Sequence, residues 1–152
     1  MELARLPVLD VHTTMVAASI DAVWAPLLET LDRTFSRPGA SGFARLVGCA
    51  DSAASGSRPL ARGATIPGFR VAAAVPGREL VLEGRHRFSS YALIFCLERV
   101  GAGSTLLRAE SRADFPGFPG RVYRLIVVGT GGHVIAVRRL LSAVRRRSEY
   151  RA

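Results

Sequence analysis

The stretch between residues 78 and 114 limits the fold more than any other, because its apolar and polar residues alternate with a period of two. Leu80, Leu82, Gly84, His86 and Phe88 share one face of a strand over residues 78–88, with Glu79, Val81, Glu83, Arg85 and Arg87 on the other. Tyr91, Leu93, Phe95 and Leu97 share a face of the next strand, residues 91–99. After the turn Gly101-Ala102-Gly103, Thr105, Leu107, Ala109, Ser111 and Ala113 alternate with Leu106, Arg108, Glu110, Arg112 and Asp114. Alternation with one charged face belongs to an antiparallel sheet wetted on one side. Turns this short make consecutive strands neighbours. A strand over residues 68–75, closed by Pro76-Gly77, extends the meander at its start.

A sheet of this kind needs a second layer over its apolar face. Residues 121–147 supply it: Tyr123, Val127, Thr130, Val134, Val137, Leu141 and Val144 recur at steps of three and four, flanked by Ile126, His133 and Leu140. That spacing predicts one long helix whose stripe covers the sheet, since neither element can bury its apolar side alone. The segment Phe115-Pro116-Gly117-Phe118-Pro119-Gly120 is expected to separate sheet from helix. Near the start, residues 11–17 read as a strand. Ser19 then caps a helix carrying Ile20, Val23, Trp24, Leu27, Leu28 and Leu31 on one face. Pro26 is expected to kink or break that helix. Residues 37–42 read as a turn or mobile loop, and residues 49–59 as a surface loop.

Composition narrows the class. The 152 residues fit a single domain spanning 1–152, and an apolar fraction of 49% with mean hydropathy +0.22 excludes a disordered linker. The first ten residues lack the apolar core of a secretory signal, and the longest apolar run, 125–137, falls short of the ~20 residues a membrane span needs. A cytoplasmic protein is the expectation. Cys49 reads as a loop thiol and Cys96 as a buried, inert one, which makes no disulfide framework. The net charge of +9 comes from 21 basic residues, all arginine and spread along the chain. Dispersed charge favours solubility over nucleic-acid binding. The one cluster, Arg138, Arg139, Arg145, Arg146, Arg147 and Arg151, suits the C-terminal end of a helix dipole.

Strand, helix, long loop, antiparallel strands, final helix: this order resembles the START-like or SRPBCC superfamily, which includes pathogenesis-related allergens and polyketide cyclase-like proteins. The resemblance is carried by Val16-Ala17-Ala18-Ser19-Ile20-Asp21-Ala22-Val23-Trp24 and by the strand series from Pro76-Gly77-Arg78-Glu79-Leu80 through Arg112. It implies an α+β helix-grip fold, a curved antiparallel sheet wrapped around a long C-terminal helix. It also implies a cavity between the two for a hydrophobic ligand. It does not imply one reaction, because that fold hosts carriers, sensors, cyclases and protein-partner modules alike.

Other motifs carry less. Gly129-Thr130-Gly131-Gly132 suggests a dinucleotide loop, but Val134 stands where the third glycine belongs, and the remaining chain is too short for a βαβ unit. His12, His86 and His133 have no metal-ligand spacing, so neither a metal nor a cofactor is expected. No Gly-x-Ser-x-Gly elbow is present. What remains is a set of polar groups on inward faces: His86, Tyr91, Ser111, Tyr123, Thr130 and His133. Buried polar atoms need partners, either one another or a ligand. His133 is the leading candidate, with Tyr91 or Ser111 as its partner if no ligand binds. Phe69, Val71, Leu82, Leu93, Phe95, Leu107, Val127 and Val137 are expected to form the apolar lining. The reading is a binder of a hydrophobic or amphipathic small molecule, lipid or polyketide-like. Its alternatives are a cyclase or dehydratase using His133 or His86 with Tyr91, and a module for an acidic protein or RNA. A homodimer stays among the partner readings.

Overall fold

A computed structural model describes residues 3–127, 129 and 131–151. Six strands form one antiparallel sheet: β1 (Val8–Val16), β2 (Thr65–Ile66), β3 (Phe69–Val75), β4 (Glu79–His86), β5 (Ser89–Arg99) and β6 (Thr105–Asp114), in the order β1-β6-β5-β4-β3-β2. Strands β3 to β6 form the meander that the alternation predicts. The long-range closure is the pairing of β1 with β6, which brings residues a hundred positions apart into register, Asp10 opposite Ser111 and His12 opposite Ala109. A bulge at Leu9 shifts that register between Val8 and Asp10, and such bulges re-aim the side chains beside them.

Among the described residues four α-helices accompany the sheet: α1 (Ile20–Phe35) and α2 (Ala40–Leu46) between β1 and β2, and α3 (Gly117–Val127) and α4 (Gly132–Arg151) after β6. Ser19 caps α1 by accepting a hydrogen bond from the Ala22 amide at 3.3 Å. The helix continues through Pro26 without the expected break. Pro26 is buried, so its ring adds to the apolar face while it withholds one backbone donor. α2 begins within residues 37–42, expected to be a turn or loop, and runs on beyond them.

The final helical region departs from the single helix expected over 121–147. It is split into α3 and α4 around Gly129 and Gly131, and Gly131 takes a left-handed φ of 74°. Glycine costs a helix about 1 kcal/mol relative to alanine, and several close together end it. α3 also starts earlier, at Gly117, within the segment expected to separate sheet from helix. Pro119 falls in its first turn, where a missing N–H is harmless.

α1 and α4 pack on each other and on the sheet. Leu27 and Leu31 of α1, Leu141 and Val144 of α4, and Leu80, Leu82, Phe95 and Leu107 of the sheet form the core. Two bonds tie the C-terminal helix and β6 to the β1–α1 corner: Glu149 accepts from the Ala17 amide at 3.0 Å, and Thr105 Oγ1 donates to the Ala18 carbonyl at 2.8 Å. On the outer face, Arg108 and Arg112 both bond Glu110, which they bury. Burial pushes the Glu110 carboxyl up, but these arginine bonds outweigh it and hold it below the usual carboxylate value. No helix among the described residues is long and apolar enough to cross a membrane.

Candidate functional site

The sheet's inner face is only partly covered by α1 and α4. Beyond them a cavity of about 410 Å³ opens between the sheet, α2, α3 and the start of α4. Its walls are mainly apolar, with Phe35, Phe43, Phe69, Leu93, Phe115 and Val137 among them. This size falls in the ordinary range of small-molecule pockets.

Along one wall the rings touch in series. Phe35 meets Phe69 at a centroid distance of 4.9 Å, Phe69 meets Tyr91 at 5.2 Å, Tyr91 meets His86 at 5.4 Å, and His86 meets Tyr123 at 4.7 Å. Tyr123 also stacks on Phe88 at 5.5 Å. Edge-to-face contacts of this kind hold the rings in fixed orientations. Gly84 makes room for the series, since a Cβ there would stand 2.2 Å from the Gly68 carbonyl oxygen and 2.6 Å from the Tyr91 ring.

The polar groups of this wall are held neutral at pH 7. Burial pushes the Tyr91 phenol far above its ordinary value of 10.0 and the Tyr123 phenol above it as well. Burial likewise raises the Cys49 thiol, and it lowers the His86 imidazole below 6.5. Tyr91 donates to the Gly68 carbonyl at 2.6 Å and lies 3.8 Å from Cys49 Sγ. His86 Nδ1 accepts from the Phe88 amide at 3.0 Å. A neutral imidazole with Nδ1 occupied as an acceptor carries its proton on Nε2.

Of the residues singled out from the sequence, His86, Tyr91, Ser111, Tyr123, His133, Phe69, Leu93 and Val137 stand at the cavity wall. Val71, Leu82, Phe95 and Leu107 do not. They are sealed in the core, because α1 and α4 side chains fill that part of the inner face. Thr130 and the side chain of Val127 lie outside the described residues. His133 meets neither Tyr91 nor Ser111 by hydrogen bond. Its Nε2 lies 3.5 Å from Asp10 Oδ2, which is itself 3.3 Å from His12 Nε2. Sequence reading missed Asp10 and His12, although Asp10, His12, Thr14 and Val16 share the inward side of β1. It also placed Cys49 in a loop without a role. Cys96, expected to be buried, is partly exposed. Among the described residues no group of three or more His, Cys, Asp and Glu side chains could hold a metal ion.

Solved structures match this fold over most of their length. The Zhui aromatase/cyclase from Streptomyces sp. R1128 superposes with a TM-score of 0.58 at 14% identity, over 93% of each chain. That likeness runs over nearly the whole chain and decides the fold. The chain has the helix-grip fold. Norcoclaurine synthase from Thalictrum flavum matches with a TM-score of 0.55 at 14% identity, over 97% of this chain and all of that one. CalU16 from Micromonospora echinospora matches at 0.50 and 14% identity, over 92% of this chain and 83% of its own. No protein-family model and no curated protein matches the sequence. Identities this low speak for the helix-grip fold alone, so function rests on the cavity itself.

Proposed function

We propose that this protein binds a hydrophobic or amphipathic small molecule, aromatic and polyketide-like in character, within the cavity between the sheet and the C-terminal helices. The observation that carries this reading is a 410 Å³ chamber with a largely apolar lining and a few neutral polar groups along one wall. Burial of apolar ligand surface is worth roughly 25 cal/mol per Å² before the costs of binding are subtracted. The series of rings from Phe35 to Tyr123 favours a planar body that meets their edges and faces. Two fold neighbours act on or hold ring compounds: Zhui is an aromatase/cyclase, and norcoclaurine synthase has been solved with dopamine and hydroxybenzaldehyde.

The test is titration with the fluorescent probe N-phenyl-1-naphthylamine. Ala136 lines the cavity yet is itself exposed, so Ala136→Trp obstructs the opening without disturbing the core. Saturable binding to the unmodified protein, lost in this variant at unchanged melting temperature, supports the reading. Equal binding by both proteins removes it.

One observation favours a catalytic second reading. His86 presents a neutral imidazole with its proton on Nε2, beside the protonated Tyr91 phenol. Such a pair suits proton transfer to a ligand carbonyl, the chemistry of a cyclase or dehydratase. On that reading His86→Gln abolishes turnover of a polyketide substrate while binding persists; loss of binding alone speaks against catalysis.

A further inference from the structure

Arginine is spread along the sequence, but the charge is not balanced over the fold. Residues 36–50 and 115–148 hold nine of the 21 arginines and none of the 12 acidic residues, so the rest of the chain sets 12 arginines against 12 acids. Those two segments contain α2, α3 and most of α4, the helices that border the cavity. Arg145 and Arg147, towards the end of α4, bond Glu149 and Thr30. Arg37, Arg45, Arg121, Arg124, Arg138 and Arg139 are exposed, and none of these six stands in an ion pair among the described residues.

The same helices expose large apolar side chains. On α2, Phe43 and Leu46 are 60% and 72% exposed. On α3, Phe118 and Leu125 are 78% and 70% exposed, with Val122 between them, and Ile135 of α4 is half-exposed. Spacing explains the α3 face. Phe118, Val122 and Leu125 step by four and three and share one side, whereas Tyr123, at the cavity wall, and the buried Gly120 lie on the opposite side. The apolar stripe of α3 thus faces outward, with Arg121 and Arg124 along one flank. Phe43 and Ala136 line the cavity and are themselves exposed, so the opening lies among these residues.

We propose that this face, around the cavity opening, docks on an anionic lipid bilayer. Docking of this kind is separate from what the cavity holds. Exposed apolar side chains with arginines beside them suit a bilayer interface: rings and aliphatic chains enter the acyl boundary while the guanidinium groups stay with the phosphates. Basic residues near an anionic surface add an attraction that falls with ionic strength. A second copy fits poorly, because a two-fold contact would set this cationic face against itself. A protein partner would need a pocket for each protruding side chain on three helices, whereas lipid tails conform to them.

The experiment is co-sedimentation of the full chain with vesicles of phosphatidylcholine alone or mixed with phosphatidylglycerol. Binding to the mixed vesicles should exceed binding to phosphatidylcholine by about tenfold or more and weaken as salt is raised. Phe118→Ser with Leu125→Ser should lower affinity for the mixed vesicles by about tenfold or more at unchanged melting temperature, since both side chains are exposed in the free protein. Val75→Ser, at the end of β3 far from the cavity residue Phe69, should leave binding unchanged. Arg121→Gln with Arg139→Gln should reduce the preference for the mixed vesicles. No such preference in the unmodified protein overturns the proposal. So does undiminished affinity in the Phe118 and Leu125 variant, which would leave only adsorption of a basic protein. Self-association in sedimentation velocity that this variant abolishes, or capture by soluble poly-glutamate without vesicle binding, assigns the face to a protein partner and overturns it as well.

Discussion

One sheet face is treated in two ways along its length. Under α1 and α4 it is sealed: Leu27, Leu31, Phe95, Leu107 and Val144 are fully buried. Towards α2 and α3 the same strands present Phe69, Tyr91, Leu93 and Ser111 to open space. The polar groups differ in part between the two halves. In the sealed half Thr105 bonds the Ala18 carbonyl, Ser148 bonds the Val144 carbonyl at 2.7 Å, and Arg147 bonds Thr30 at 3.0 Å. In the hollow half Tyr91 and His86 are bonded to the Gly68 carbonyl and the Phe88 amide, while Ser111 and His133 each hold an atom without a hydrogen bond. The strands do not make this difference; the helices above them do. α1 and α4 carry continuous buried stripes. α2 has only seven residues, and α3 leaves Phe118, Leu125 and Ile126 exposed. A fold optimised for stability alone would fill and bond both halves, so the hollow half points to a ligand.

The division can be broken by substitution. Phe95→Ala, in the sealed half, should cost about 3–5 kcal/mol in chemical denaturation. Phe115→Ala at the cavity wall should cost less than about 1 kcal/mol, because little packing is lost there. Equal losses would erase the distinction. Gly84→Ala should cost about 1–3 kcal/mol by forcing Tyr91 and the Gly68 carbonyl apart; an unperturbed Tyr91 ring environment by NMR would show that the close approach is not needed.

Polar groups sharpen the same contrast. Thr105→Val should cost about 1–2 kcal/mol because it strands the Ala18 carbonyl. Ser111→Ala should leave stability within about 0.5 kcal/mol. Thermal unfolding of both variants decides this, and a larger loss at Ser111 would reverse the assignment of halves. The smallest effect concerns pH. Burial keeps the folded His86 imidazole below its usual 6.5, so the unfolded chain takes up the proton first. This contribution to stability is complete above that value and is lost as the pH falls through it. His86→Gln should therefore flatten the fall in melting temperature between about pH 7 and pH 5. An unchanged slope would mean that His86 titrates alike in both states.

Much of the sealed half was legible in the sequence, since period-two and period-3.6 patterns report burial directly. Leu80, Leu82, Phe95 and Leu107, like Leu27 and Leu31, declare their faces by spacing. The fold followed, because a half-wetted sheet and an apolar stripe must meet. The hollow half was harder to read. A residue facing a cavity and one facing a core have the same periodicity, and so Val71 and Leu82 were expected at the wall beside Phe69 and Leu93. The break at Gly131 is visible as glycines but not as a left-handed turn. Asp10 and His12 were missed for another reason. Their partners Ser111 and His133 lie more than a hundred residues away, and nothing local to β1 tells that it closes against β6.

The most direct measurement is a crystal structure of the protein soaked with 2-naphthol. Density for the ring is expected between the Tyr91–His86–Tyr123 wall and Val137. A chamber closed by Phe118 or Leu125 turned inward, with no room for a ring, would contradict the division on which the proposed function depends.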